Sequence, residues 1–224
     1  MRLILCCSLA VAACGSGSGG GGDDDNAVTD ASSFNDGSAS LDAQPSTGLT
    51  VRWTAQPALP GPFSEATLLA VKLRVARLEV IGDTGSTTGT TMTDFDVIWS
   101  ATTTPFPISF FAAEPGLYSR ASLQIDGKVV TRSYELRGTV VINGTAEPFE
   151  ISDTTALAVD VSGYNVTLMA GQAVEVPIRV DMEKVIDAID FASLPVIANV
   201  RTMNQTTPGI AAVRTALETL TFFK

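Results

Sequence analysis

The chain has 224 residues, 24 acidic against 14 basic and no histidine, for a formal net charge of −10. That balance argues against a nucleic-acid binder, which needs a basic footprint, and against electrostatic adsorption to anionic lipid. The three cysteines all lie at positions 6, 7 and 14. Without His, and with no Cys beyond position 14, the remainder cannot build a Ser-His-Asp triad, a Cys-His dyad or the common zinc and copper sites.

Met1-Arg2 is a short basic start, and Leu3 to Ala13 is an apolar run. The run falls well below the roughly 18–20 residues needed to span a bilayer, so it reads as a signal-peptide core. It ends in Val11-Ala12-Ala13-Cys14, which resembles the bacterial lipobox. The resemblance implies cleavage between Ala13 and Cys14, with diacylglycerol on the Cys14 thiol and further acylation at that residue. The partner it implies is a membrane, held through palmitate-type chains. An ordinary secretory peptide with an incidental cysteine is the competing reading; the abrupt glycine-rich sequence after Cys14 favours the lipobox. Several chains on one residue give lasting attachment, because each buried methylene contributes about 0.8 kcal/mol and one chain alone is marginal. Gly15, rather than aspartate, follows the cysteine, which under the enterobacterial sorting rule implies the outer membrane. The expected location is therefore the cell envelope, lipid-anchored.

From Gly15 to Thr47 the chain is mostly Gly, Ser, Asp, Asn, Ala and Thr, with isolated Phe34 and Leu41. Such a composition cannot repay the entropy of folding and reads as a tether. As a coil, those 33 residues would have an r.m.s. span of roughly 30 Å. Asp23-Asp24-Asp25 loosely resembles acidic surface-export signals, although a solvated linker charge run accounts for it more simply.

From Gly48 onward the pattern changes to period-two alternation. Leu49, Val51, Trp53 and Ala55 predict a strand ended by the Pro57–Pro62 turn region. Leu69, Val71, Leu73 and Val75 predict one core face; Leu78 and Val80 continue it after a slip of one, so a bulge is expected near Ala76. Gly82 to Thr93 reads as a polar loop, and Phe95, Val97 and Trp99 as a third strand. In Glu114-Pro115-Gly116-Leu117-Tyr118, a Pro-Gly turn precedes a tyrosine that opens a strand with Leu117, Ala121, Leu123 and Ile125. Pro115, Gly116 and Tyr118 thus resemble the structural tyrosine corner of β-sandwiches, whose hydroxyl bonds back to nearby backbone. Asp126-Gly127 and Asn143-Gly144 are hairpin signals, the latter joining strands around Tyr134–Ile142 and Glu147–Ile151. Two runs follow, Leu157-Val159-Val161 and Val174-Val176-Ile178-Val180. Met182, Val185, Ile186 and Ile189 then recur at helical spacing, and Thr207-Pro208 opens a second helix with Ile210, Val213, Leu217 and Leu220 as its stripe. The expected fold is mainly β: an antiparallel β-sandwich over residues 48–224 with one or two short C-terminal helices.

The runs Val71–Val80, Pro115-Gly116-Leu117-Tyr118 and Ala170-Gly171 to Asp181 resemble bacterial lipoprotein domains of unknown function with a prealbumin-like (transthyretin-like) β-sandwich. The resemblance covers roughly Gly48 to Ile189 and departs at the Gly82–Thr93 loop and the helical tail. It implies a fold and supplies no activity, no cofactor and no site residue.

Carboxylate chemistry and a Ser-Lys pair are the remaining catalytic options. Asp94 and Asp96 flank Phe95 and lie about 7 Å apart on a strand, a spacing that suits a glycosidase pair, although two solvent-facing acids account for it more simply. Asp181, Glu183, Asp187 and Asp190 gather at a helix start, where acids favour the dipole and calcium is a weaker alternative. Lys72, Lys128, Lys184 and Lys224 sit in no serine motif, no Gly-rich phosphate loop is present, and Trp53 and Trp99 read as core. No catalytic, cofactor-binding or metal-binding residue is assigned. The expected function is a non-enzymatic envelope or surface module that binds a protein or glycan through loops, with Gly82–Thr93 as the first contact. Alternatives are a structural subunit acting by strand addition, against which Pro148 and Pro177 look like edge protection, and a carboxylate-dependent glycoside hydrolase.

Overall fold

Alternating apolar residues of this density commit a chain to strands, whose side chains point to opposite faces in turn. The computed structural model describes residues 47–63, 65–128 and 131–219, all within the compact unit Asp42–Lys224. β1 (Gly48–Gln56) buries Leu49, Val51 and Trp53. A turn with two cis X-Pro bonds leads through β2 (Gly61–Pro62) into the 17-residue β3 (Ala66–Gly82). Then come β4 (Thr91–Trp99), β5 (Ile108–Phe110), β6 (Gly116–Ile125), β7 (Tyr134–Ile142) and β8 (Thr145–Asp153). β9 (Leu157–Leu168) and β10 (Ala173–Asp181) precede α1 (Met182–Asp187), a 3-10 turn at Phe191–Ser193, β11 (Val196–Ile197), β12 (Val200–Met203) and α2 (Ile210–Glu218).

The fold is mainly β, in two sheets. β10, β1 and β5 form a small sheet in that order, and the other strands form a large one around β3. β4 pairs with β3 along Val71–Glu79, while β7 pairs along Ala66–Leu73 and β6 along Val75–Gly82. A strand has two edges, and β4 occupies one of them; β7 and β6 therefore share the other, end to end. β8 and β9 lie outside them, paired with β7 and β6 respectively. Inward side chains of both sheets form one apolar cluster, which includes Val51, Leu73, Leu136, Ile151 and Ile178. Trp53 and Trp99 belong to it, and Phe95, partly buried, meets Trp53 at 6.2 Å between ring centroids.

Several expectations need correction. The sheets are not wholly antiparallel: β1 runs parallel to β10, and β12 parallel to β8. The bulge expected near Ala76 is present, as a register shift between Val75 and Arg77. A second shift, between Leu68 and Ala70, reverses the phase earlier, so that Leu68 is fully buried and Leu69 is 49% exposed. Another irregularity between Tyr118 and Arg120 turns Tyr118 inward in place of Leu117. The polar loop shrinks to residues 83–90, because β3 runs to Gly82 and Thr91–Thr93 pair with it. Asn143-Gly144 makes the expected hairpin with positive φ at both residues. Asp126-Gly127 does not make a hairpin; it begins an excursion between the collinear β6 and β7. α1 and α2 bury Val185, Ile186, Val213 and Leu217, and α2 packs on α1 and β9. Pro208 stands before the α2 cap at Gly209, outside the first turn; Leu220 lies outside the described residues.

A cationic cleft as candidate functional site

Between the core residues Val71, Leu73 and Val75, strand alternation turns Lys72 and Arg74 to the opposite face of β3. Opposite Arg74 in the ladder stands Asp96 of β4. Over this face lie residues 126–128 and 131–133 of the excursion between β6 and β7, which are closely tied to one another. Lys128 N–H donates to Asp126 Oδ1 at 2.8 Å, Gly127 N–H to Ser133 Oγ at 3.0 Å, and Thr131 Oγ1 to Gly127 O. Backbone bonds from Asp126 N–H to Arg74 O and from Arg74 N–H to Ser133 O fasten both its ends to β3. Gly127 is required here: a Cβ would fall 2.0 Å from Thr131 O.

The excursion and the strands beneath enclose a cleft of about 590 Å³, lined by Lys72, Arg74, Lys128, Arg132, Asp96 and Glu135 among others. Four of the chain's 14 basic residues therefore meet in one place, against two lining acids. Each cation is held by a carboxylate. Lys72 Nζ lies 2.8 Å from Asp96, and Arg74 bridges Asp96 at 3.2 Å and Asp94 at 3.7 Å. Lys128 Nζ donates to Asp94 at 2.9 Å, and Arg132 Nη1 reaches both Glu135 and Glu150. Asp94 sits at positive φ, which turns its carboxylate toward the excursion. The bond from Lys128, then the charge of that ammonium, holds its carboxyl below the usual carboxylate range.

Tyr134 also lines the cleft, but it stands opposite Leu73 in the ladder and turns its ring to the core face. It is almost wholly buried, and its Oη donates to Asp153 at 3.3 Å. Asp153, also buried, accepts Arg214 Nε of α2 at 2.5 Å and Thr155 N–H at 2.9 Å. Burial raises the Asp153 carboxyl, but the Arg214 and Thr155 bonds outweigh it and leave the carboxyl below its ordinary value. Burial pushes the Tyr134 hydroxyl far up. This buried group of Tyr134, Asp153 and Arg214 ties β7 and β8 to the C-terminal helix on the core side of the sheet.

The remaining sequence-derived residues lie elsewhere. Tyr118 is 5% exposed, and its Oη donates to Glu114 O at 2.7 Å across the Pro115-Gly116 turn. Residues 83–90 are mostly exposed and are fastened at their C-terminal end. Thr90 is buried with its Oγ1 on Val80 O at 2.6 Å, and Gly89 abuts Ala112. Asp181 caps α1 and Asp190 caps the 3-10 turn, so two of the four clustered acids serve as helix caps. Lys184 pairs with Asp181 at 3.4 Å. Among the described residues, no group of three or more His, Cys, Asp or Glu is placed to hold a metal ion, and no helix is long and apolar enough to cross a membrane. Ala13, Cys14 and Lys224 lie outside the described residues. Sequence reasoning missed Arg74 and Arg132, whose only signal is the spacing of Lys128 and Arg132 around a misread Asp-Gly turn.

No family model, curated protein or solved structure matches this chain.

Proposed function

We propose that the chain is a lipid-anchored envelope module that binds an acidic segment of a partner protein in the cleft between β3, β4 and the Asp126–Ser133 excursion. The lipobox at Val11–Cys14 supports the anchor. The convergence of Lys72, Arg74, Lys128 and Arg132 in one cleft of a chain with net charge −10 carries the binding reading. Its volume lies in the range of small-ligand sites, about 300–1,000 Å³. Arg forks and Lys ammonium groups suit carboxylates, and the resident acids hold these side chains extended before a ligand arrives. A polypeptide ligand is favoured over a glycan because Trp53 and Trp99 are buried in the core and so offer no stacking platform.

The competing readings have less support. A hydrolase needs an acid held protonated, whereas Lys128 moves Asp94 in the opposite direction. Strand addition needs an open, regular edge. Among the described residues, β4 carries Asp94 at positive φ, β9 carries Gly163 at positive φ, and β10 carries Pro177.

The test is calorimetric titration of the mature chain with triglutamate at low ionic strength. Binding is expected to weaken as salt rises. Lys128→Ala or Arg132→Ala should lower the affinity about 5- to 30-fold, as for loss of a charge-assisted contact. No binding, or an affinity that neither substitution alters, would overturn the site.

A further inference from the structure

We propose that the end of the domain where the tether joins is a lipid-facing surface, seated on the bilayer by Phe111 and Met169. The inference rests on the lipid anchor proposed above and is independent of the cleft. Gly48 opens β1, and its N–H donates to Gln172 O at 2.7 Å in the turn between β9 and β10. A Cβ on Gly48 would fall 2.5 Å from Phe110 O, so the chain enters pressed between the β5 end and that turn. Beside this point is a groove of about 310 Å³ whose lining includes Thr47, Gly48, Phe111, Leu168 and Met169. Phe111 is 71% and Met169 56% exposed, although Phe110 and Leu168 beside them are buried. None of the ten lining residues is charged.

The occupant follows from what lies upstream. Cys14 is separated from Thr47 of this groove by 32 residues, and a chain of that length and composition spans roughly 30 Å as a coil. An anchored chain therefore keeps the groove within reach of the lipid surface at millimolar effective concentration, where even a weak attachment becomes populated. The groove lining is uncharged, with exposed Glu114 beside it, and a chain that is acidic overall approaches a bilayer most favourably through such an uncharged face. Aromatic and thioether side chains are suited to the interfacial layer.

The experiment uses the mature full-length chain, coupled through its Cys14 thiol to a maleimide lipid in phosphatidylcholine vesicles. Phe111→Trp and, as a control elsewhere, Ile197→Trp (58% exposed in the wild type) report proximity through quenching by brominated acyl chains. Quenching at position 111 is expected to exceed that at 197 at least threefold, and Met169→Asp in the Phe111→Trp background should abolish the excess. Equal quenching at both positions would overturn the proposal. So would an uncoupled chain that sediments as a dimer and becomes monomeric on Met169→Asp, because the patch would then be an interface between copies. The coupling supplies the anchor chemically, so failure here leaves the natural lipidation of Cys14 to be judged by its own measurement.

Discussion

Asp153 shows how one residue connects the C-terminal helix to β7 and β8. Its carboxylate is fully buried and takes Arg214 Nε at 2.5 Å, and Tyr134 and Thr155 complete its shell. Because the Arg214 side chain remains 25% exposed, Asp153→Asn should cost about 2 kcal/mol, less than for a fully buried pair. The folded-state carboxyl lies below its unfolded value. The stabilisation is therefore present above the unfolded pKa near 4 and is lost as pH falls through the folded value. Urea midpoints of wild type and Asp153→Asn should differ at about pH 7 and converge towards about pH 2.5. A gap that stays constant over that range would mean the charge contributes nothing. None of this was legible in the sequence, because Asp153 and Arg214 are 61 residues apart and neither lies in a motif. Tyr118 was legible, because its partner is the carbonyl of Glu114, four residues away. A local turn can be read from local residues.

At the scale of elements, the same distinction between local and distant causes holds. The strands with clean alternation, such as Leu49–Trp53 and Phe95–Trp99, form as their pattern predicts. The bulge at Ala76 was readable because the apolar phase visibly slips there. Leu69 was misread because both Leu68 and Leu69 are apolar, and only pairing with β7 decides which faces inward. The Asp126-Gly127 turn was misread for a related reason: a hairpin signal cannot reveal that β3 is long enough to pair with β6 and β7 in succession. Gly127 gives the sharpest test of this element. Its added Cβ would meet backbone at 2.0 Å, so Gly127→Ala should displace the excursion, costing about 2 kcal/mol. It should also weaken triglutamate binding at least as much as Lys128→Ala does. Unchanged midpoint and affinity would show that the excursion does not position the cleft.

At the scale of the whole molecule, an acidic chain gathers four cations, each paired with a carboxylate, in one cleft and carries an uncharged apolar groove at the end where the tether joins. The two proposals give these surfaces different partners, an acidic polypeptide for the cleft and lipid for the groove. The envelope was an expectation from the Val11–Cys14 resemblance, and nothing local marked the cleft, since its four cations come from β3 and the excursion, more than 50 residues apart in the sequence. The envelope location and the lipid-facing groove both depend on the anchor, and the anchor is tested most directly by intact-mass spectrometry of the protein extracted from membranes with detergent. The account predicts a mature chain that begins at Cys14 and carries a diacylglyceryl group and a further acyl chain, and a Cys14→Ser variant that is unprocessed or soluble. A chain that begins elsewhere, or that begins at Cys14 with a free thiol, would contradict it.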